Sequence, residues 1–461
     1  MHTTSVRHRV LHGLGALFYG QALIIVIQLA GVPILLHAWG VRLYGDWLIL
    51  FAVPSYLSMA DLGFSQSAAN DMTMRYARGD NAGTLAVFQS LALLVYGAAA
   101  LGLLVFTLLL WLLPLQRWCH LPGLPMNEVR WVVGLLAAEV LVKLADGVNH
   151  AGFRSHGEYG LHVALTYTTL FMQFSMIWAV ALLGGGLLPA AAAFVLIRAA
   201  VTPGVAVWLL RRHRDLKLGL AHASRARLRA LVKPALANIT TPLALALNMQ
   251  GMVLAVGATL GPIAVVTFVT LRTLSRLISQ TAWRVSHAFE PELAAAWGEP
   301  DRGLLRNLFE HSMRAGFWLA LPLLIGVLAL GSRILGIWTH HKVAMDAGLF
   351  YWLLLSALTS VLWYGALNLL KSGNVHIRAA LWYVLCAGGA LLLAIALLHL
   401  TGTLSSTGIA MFLADALMVI YLWRAVARVL GVRPRELGRA MLDFRPLIRF
   451  LVERRMFHVT F

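Results

Sequence analysis

Charge is what this sequence has least of. Of its 461 residues, 12% are Asp, Glu, Lys or Arg and 60% are hydrophobic, whereas a soluble domain carries roughly 25% charged residues. So few charges cannot cover a water-facing surface of this size, which excludes a string of soluble domains. Acids are scarcer than bases: 19 Asp and Glu against 37 Lys and Arg, a net charge of +18. The two cysteines, Cys119 and Cys386, form no disulfide framework and show no metal-ligand spacing. No Gly-x-x-x-x-Gly-Lys-Ser/Thr run is present, so the chain carries no P-loop with which to use ATP. Gly184-Gly185-Gly186 reads as a turn, and His340-His341 as a loop pair without metal-ligand spacing. Neither a metal nor another cofactor is expected.

What the sequence does have is long apolar runs. A helix needs about 20 mostly apolar residues to cross a bilayer. On that measure spans fall near 14–38, 43–67, 83–113, 131–152, 159–184, 187–210, 235–259, 262–284, 313–336, 347–370, 379–400 and 405–423, twelve in all. The run after Arg7 and Arg9 is too long for a signal-peptide core and has no clear small-residue cleavage site, so it reads as a retained first helix. With the N-terminus placed inside, 26 of the 37 Lys and Arg fall in inner segments and five in outer ones. That asymmetry is the positive-inside signature. The expected fold is an all-α integral membrane protein of twelve transmembrane helices with both ends cytoplasmic. Basic clusters between apolar runs suit anionic lipid headgroups, and nucleic acid is not an expected partner.

The longest basic segment, 211–234, holds eight Lys and Arg and divides the chain. The expected organisation is a six-helix lobe over 1–210, a cytoplasmic linker over 211–234, a second six-helix lobe over 235–423 and a basic tail over 424–461. The tail reads equally as an amphipathic helix on the inner leaflet or as a solvated segment. A faint repeat joins the halves: Gly40 and Gly261 lie 221 residues apart, and the same offset sets Asn70-Asp71 on Pro291-Glu292. Many transporters are built from such repeats, with the site where the halves meet.

Ionisable side chains inside a membrane are costly, so they face a cavity or a partner. On span four, Glu139, Lys143, Asp146 and His150 fall within about 60° of one another at ~100° per residue. This stripe is either a cavity wall or a self-satisfied set of i,i+3 and i,i+4 ion pairs. As a cavity wall, it uses Lys143 to meet an anion and Glu139 or Asp146 to take a proton. On span eight, Arg272, Arg276, Gln280 and Arg284 step by four; Arg284 reaches the headgroups, and Arg272 and Arg276 sit nearer mid-membrane. Guanidinium groups grip pyrophosphate through paired, charge-assisted hydrogen bonds, so Arg272 and Arg276 are candidate anion-binding residues; pairing with span-four acids or Asp61 is the alternative. Arg198 on span six is a third candidate. Asp61 braces the first hairpin or couples an ion, and Asp415, isolated on span twelve, is a further coupling candidate. Asn238, Asn248, Gln250, Gln89 and Gln173 read as interhelical hydrogen-bonders. Pro54, Pro203 and Pro242 lie within spans.

Two stretches carry a family resemblance. Trp39-Gly40-Val41-Arg42-Leu43-Tyr44-Gly45-Asp46-Trp47, continuing through Tyr56-Leu57-Ser58-Met59-Ala60-Asp61-Leu62-Gly63-Phe64 to Asn70, resembles the first helical hairpin of bacterial polysaccharide flippases. These are the O-antigen and exopolysaccharide branch of the multidrug/oligosaccharidyl-lipid/polysaccharide exporter superfamily. Leu260-Gly261-Pro262, Leu271-Arg272-Thr273-Leu274, Gln280 and Pro291-Glu292-Leu293 are similar to that family's seventh and eighth helices. The resemblance implies a two-lobed transporter of the bacterial inner membrane that moves undecaprenyl-pyrophosphate-linked oligosaccharides by alternating access. Implied partners are the lipid-linked oligosaccharide, membrane lipids, a polysaccharide polymerase and glycosyltransferases. Two competing readings remain. A drug/cation antiporter of the same superfamily wants an acidic cavity, whereas this one has at least as many cations as acids. A membrane polysaccharide polymerase or ligase wants a large external loop, and the longest here, 113–130, is about 18 residues.

Overall fold

The computed structural model describes residues 2–57 (side chains from 15), 63–112, 121, 123–224, 226, 229, 239–298, 302–373 and 375–445, and among these it is helical without strands. In hydrocarbon every backbone N–H and C=O must be satisfied within the segment, which a helix alone does without a partner strand. The helices are α1 (His2–Ser55), α2 (Phe64–Ala77), α3 (Asn81–Leu112), α4 (Met126–Ser155), α5 (Tyr159–Leu182) and α6 (Leu187–Arg212). They continue as α7 (Ile239–Leu260), α8 (Pro262–Ala288), α9 (Glu290–Ala296), α10 (Arg302–Trp338), α11 (Ala347–Ser372), α12 (Ile377–Thr401), α13 (Ser405–Leu430) and α14 (Pro434–Leu442). Among the described residues, ten helices are long and apolar enough to cross a membrane. Helix α4 is not among them because Glu139, Lys143 and Asp146 interrupt it. The twelve expected spans fall on these ten, on α4, and on the second arm of α1.

That second arm begins at a break. Gly40 has φ 70° and ψ 179° inside α1, and Gly261, between α7 and α8, has φ 81° and ψ −177°. This corner of backbone space is open essentially to glycine alone. The repeat seen in sequence therefore joins two chain corners of one geometry. Span two itself needs correcting: the helix stops at Ser55, not 67, and α2 starts anew behind a left-handed Gly63. Span seven is interrupted by a π-helical turn, Leu247–Gly251, that buries Asn248.

The chain forms two compact units, Met1–Val266 and Thr267–Phe461, with the boundary inside α8. In the first, α4 packs against α2, α3 and α6, and α5 against α1 and α6. Its core joins Phe64 and Met72 of α2, Phe88 and Leu91 of α3, Leu144 and Val148 of α4, and Leu209 of α6. The start of the basic segment after α6 does not hang free. Gln89 donates to the Lys217 carbonyl at 3.0 Å and accepts from the His222 amide at 2.9 Å, while Ser90 accepts from the Ser224 amide at 3.0 Å. In the second unit α11 and α12 flank α13, and α10 packs on α11. The short α14 buries Leu437 and Met441, and its carbonyls accept from Arg314 Nε (Ala440, 3.0 Å) and Trp318 Nε1 (Met441, 3.2 Å) of α10.

Candidate functional site: polar clusters within the helices

The span-four stripe splits into two clusters because its acids turn to neighbouring helices. Glu139 Oε1 lies 3.3 Å from Arg198 Nε of α6 and accepts from Gln173 Nε2 of α5 at 3.0 Å. Arg198 also donates to Gln173 Oε1 at 2.8 Å. Arg198 is only 2% exposed, and three helices close around the trio. A buried guanidinium persists only when its charge is met, and here Glu139 meets it while Gln173 takes a second N–H. Arg198 and Glu139 therefore bind each other, whereas the sequence offered one as an anion ligand and the other as an ion-coupling acid.

The second cluster is more open. Asp146 Oδ1 lies 3.2 Å from His162 Nε2, and Oδ2 accepts from Thr166 at 3.3 Å. Asn149, 3.5 Å from Asp146 Oδ1, also donates to the Thr202 carbonyl at 3.2 Å. His162 Nδ1 stands 3.3 Å from His150 Nδ1. With Asp146 accepting from His162 Nε2, a neutral His162 presents its Nδ1 lone pair to the His150 N–H. The result is a directed chain from His150 through His162 to Asp146, suited to passing a proton. Lys143 is exposed.

The part of α8 that belongs to the second unit carries Arg272 and Arg276 one turn apart. Arg272 is 8% exposed, with its guanidinium carbon 4.7 Å from the centre of the Phe268 ring. Among the described residues, Thr270 Oγ1, Gln280 Oε1 and Trp283 Nε1 of this helix are buried side-chain atoms with no hydrogen-bond partner. Such atoms call for a ligand or water. Asp415 is not isolated as its sequence context suggested. Its Oδ2 accepts from Ser356 Oγ at 2.5 Å and its Oδ1 from Trp363 Nε1 at 2.9 Å, both on α11. Near the end of α8, Tyr364 stacks on Trp283 at 4.4 Å and hydrogen-bonds His287 at 2.8 Å, and His287 meets Glu290 at 3.1 Å. That bond from His287 holds the Glu290 carboxyl below its usual range, against the opposing pull of burial. Asp61 and Asn238 lie outside the described residues.

Sequence reasoning missed His162, Ser356 and Trp363 as partners. A signal was there for one cluster. Gln173 and His162 are eleven residues apart on α5, three turns and one face, and Glu139 and Asp146 are seven apart on α4. The two polar rows match in antiparallel order.

Solved structures share this fold along nearly the whole chain. An inward-facing MATE multidrug resistance transporter of the MOP superfamily aligns with TM-score 0.72 at 14% identity, covering 90% of this chain and 98% of the other. The fold is that of the MATE and MurJ transporters. The lipid II flippase MurJ, in an inward closed conformation, aligns with TM-score 0.63 at 11% identity, covering 97% of this chain and 93% of MurJ. A MOP superfamily transporter from Pyrococcus furiosus, described by the reversed polarity of its binding pocket, aligns with TM-score 0.53 at 13% identity over 92% of this chain and 96% of its own. No protein-family model and no curated protein matches the sequence. At these identities the likeness to MATE and MurJ is one of fold.

Proposed function

We propose that the protein is a flippase that moves an undecaprenyl-pyrophosphate-linked oligosaccharide or polysaccharide repeat unit across the bacterial inner membrane by alternating access. The observation that carries this reading is the pair Arg272 and Arg276, one turn apart on a membrane-spanning helix that also buries unsatisfied polar atoms at Thr270, Gln280 and Trp283. Two guanidinium groups at that spacing suit a pyrophosphate, whose oxygens accept paired hydrogen bonds from each. The MurJ-like fold and the resemblance of both hairpins to polysaccharide flippases support it. In this reading Lys143, exposed on α4, is a further anion-binding candidate, both termini are cytoplasmic, and a polymerase and glycosyltransferases work beside it. Asp146, with His162 and His150, takes the coupling proton, and Asp415 is a second coupling acid.

The test is reconstitution in vesicles with a fluorescent polyprenyl-pyrophosphate saccharide. Wild type should expose the label to an external quencher, and Arg272→Ala/Arg276→Ala should not. Full transport by a monodisperse double variant removes the arginines from the mechanism.

A drug/cation antiporter is the second reading, favoured by the MATE-like fold and by the hydrogen-bonded acid Asp146. It predicts that Asp146→Asn, and not loss of the arginines, abolishes efflux of a cationic dye.

A further inference from the structure

Where the α4–α5 turn meets the strip after α6, His156, His213 and Asp215 each offer one ligand atom, and the three atoms lie within 4.8 Å of one another. Their hydrogen bonds fix where the ring protons sit. His156 Nδ1 is 2.9 Å from the Gly152 carbonyl and 3.1 Å from Ser155 Oγ, whose own proton goes to that carbonyl at 2.8 Å. A carbonyl only accepts, so Nδ1 carries the proton and a neutral ring keeps its lone pair on Nε2. That Nε2 faces Asp215 Oδ2 at 3.0 Å, lone pair against carboxylate. Two acceptors at this distance repel unless a cation lies between them. His213 Nε2 stands 3.0 Å from Glu158 Oε2, a carboxylate also held by Arg212 at 2.7 Å. The Glu158 carboxylate accepts, so His213 donates from Nε2 and its lone pair is on Nδ1. Each imidazole thus gives its spare N–H to a carbonyl or carboxylate, the support that metal-ligating histidines almost always have.

The geometry points to a divalent transition-metal site of the zinc type, built from His156 Nε2, His213 Nδ1 and Asp215, with a water in the fourth position. Two imidazole nitrogens and a carboxylate suit such an ion. Metal bonds of about 2.0–2.2 Å set tetrahedral donors roughly 3.3 Å apart. His156 Nε2 and Asp215 Oδ2 already stand at 3.0 Å, so the adjustment falls on His213, whose ring lies 4.0 Å from that of His156, and on Asp215. Asp215 has room to move, since its side chain is 33% exposed, whereas His156 is fixed at 2% with its ring 4.3 Å from Tyr76. The bound ion ties the α4–α5 turn to the strip that Gln89 and Ser90 fasten along α3, clamping one end of the first unit. The competing occupant is a second proton on His156.

The experiment uses full-length protein purified in detergent without a histidine tag, stripped with EDTA and titrated with Co2+ and then Zn2+. Wild type should bind one Co2+ with the visible bands of a four-coordinate site, and Zn2+ should displace it. His213→Gln and Asp215→Asn should each weaken binding by more than the ~10–100-fold typical of losing an outer partner, and Glu158→Gln by about that amount. His340→Gln/His341→Gln should bind as wild type does. Melting in EDTA checks that each variant is folded; the exposed Asp215→Asn decides the matter where a histidine variant is not. No stoichiometric Co2+ in wild type, or binding undiminished in Asp215→Asn and His213→Gln, assigns the site to a proton and overturns the proposal.

Discussion

A side chain at Gly45 would run into the backbone carbonyl of Pro262. Each residue lies just past one of the two matching corners, Gly40 and Gly261, so within the first unit the first hairpin packs against the start of α8. Gly45→Ala should therefore lower the melting temperature by crowding that contact, at about 1–3 kcal/mol. Gly40→Ala meets open space yet has φ 70° to maintain, and should cost a similar ~1–3 kcal/mol through backbone strain alone. Scanning fluorimetry in detergent measures both. A Gly45→Ala protein that melts with wild type would show that the contact yields freely.

The Glu139–Arg198 pair predicts non-additivity. Glu139→Gln leaves Arg198 buried without its counter-charge and should destabilise by about 3–5 kcal/mol. Glu139→Gln/Arg198→Met removes both charges and should recover much of that loss. Additive losses in a double-mutant melting cycle would show the two residues to be independent.

Glu290 gives a pH dependence of known sign. Its carboxyl sits below the usual range because His287 hydrogen-bonds it. A lowered folded value means the contribution is present at neutral pH and is lost as pH falls through that value. The gap in melting temperature between wild type and Glu290→Gln should be widest above about pH 5 and close below about pH 4, where a free glutamate protonates. A gap that widens on acidification would reverse the assignment.

The chain from His150 through His162 to Asp146 predicts a separation of coupling from folding. Asp146→Asn keeps the shape of the side chain and should leave the protein monodisperse. In vesicles it should lose transport driven by a proton gradient. Gradient-driven transport at wild-type rate would remove Asp146 from the coupling path.

Much of the fold was legible because hydrophobicity sets spans directly. The two corners were legible because glycine is the residue that tolerates their backbone. Partner choice was not. Periodicity places Glu139, Lys143, Asp146 and His150 on one face of α4, and from there an intrahelical pair looks as good as any other. Which neighbour wins depends on which helix lies opposite: Arg198 is 59 residues from Glu139 in sequence and His162 is 16 from Asp146. Asp415 looked isolated for the same reason, since Ser356 and Trp363 belong to a helix that α13 meets only after folding. The end of span two escaped because the stretch from Leu43 to Ser67 is apolar enough to cross in one piece; Pro54 and Gly63 marked the interruption without dating it to Ser55.

The anchoring of Lys217, His222 and Ser224 to Gln89 and Ser90 bears on how this polypeptide can be cut. A reporter domain inserted at the close of α6 would pull that strip away from Gln89 and Ser90. A break at His213 would strand a strip of chain that already belongs to the front half.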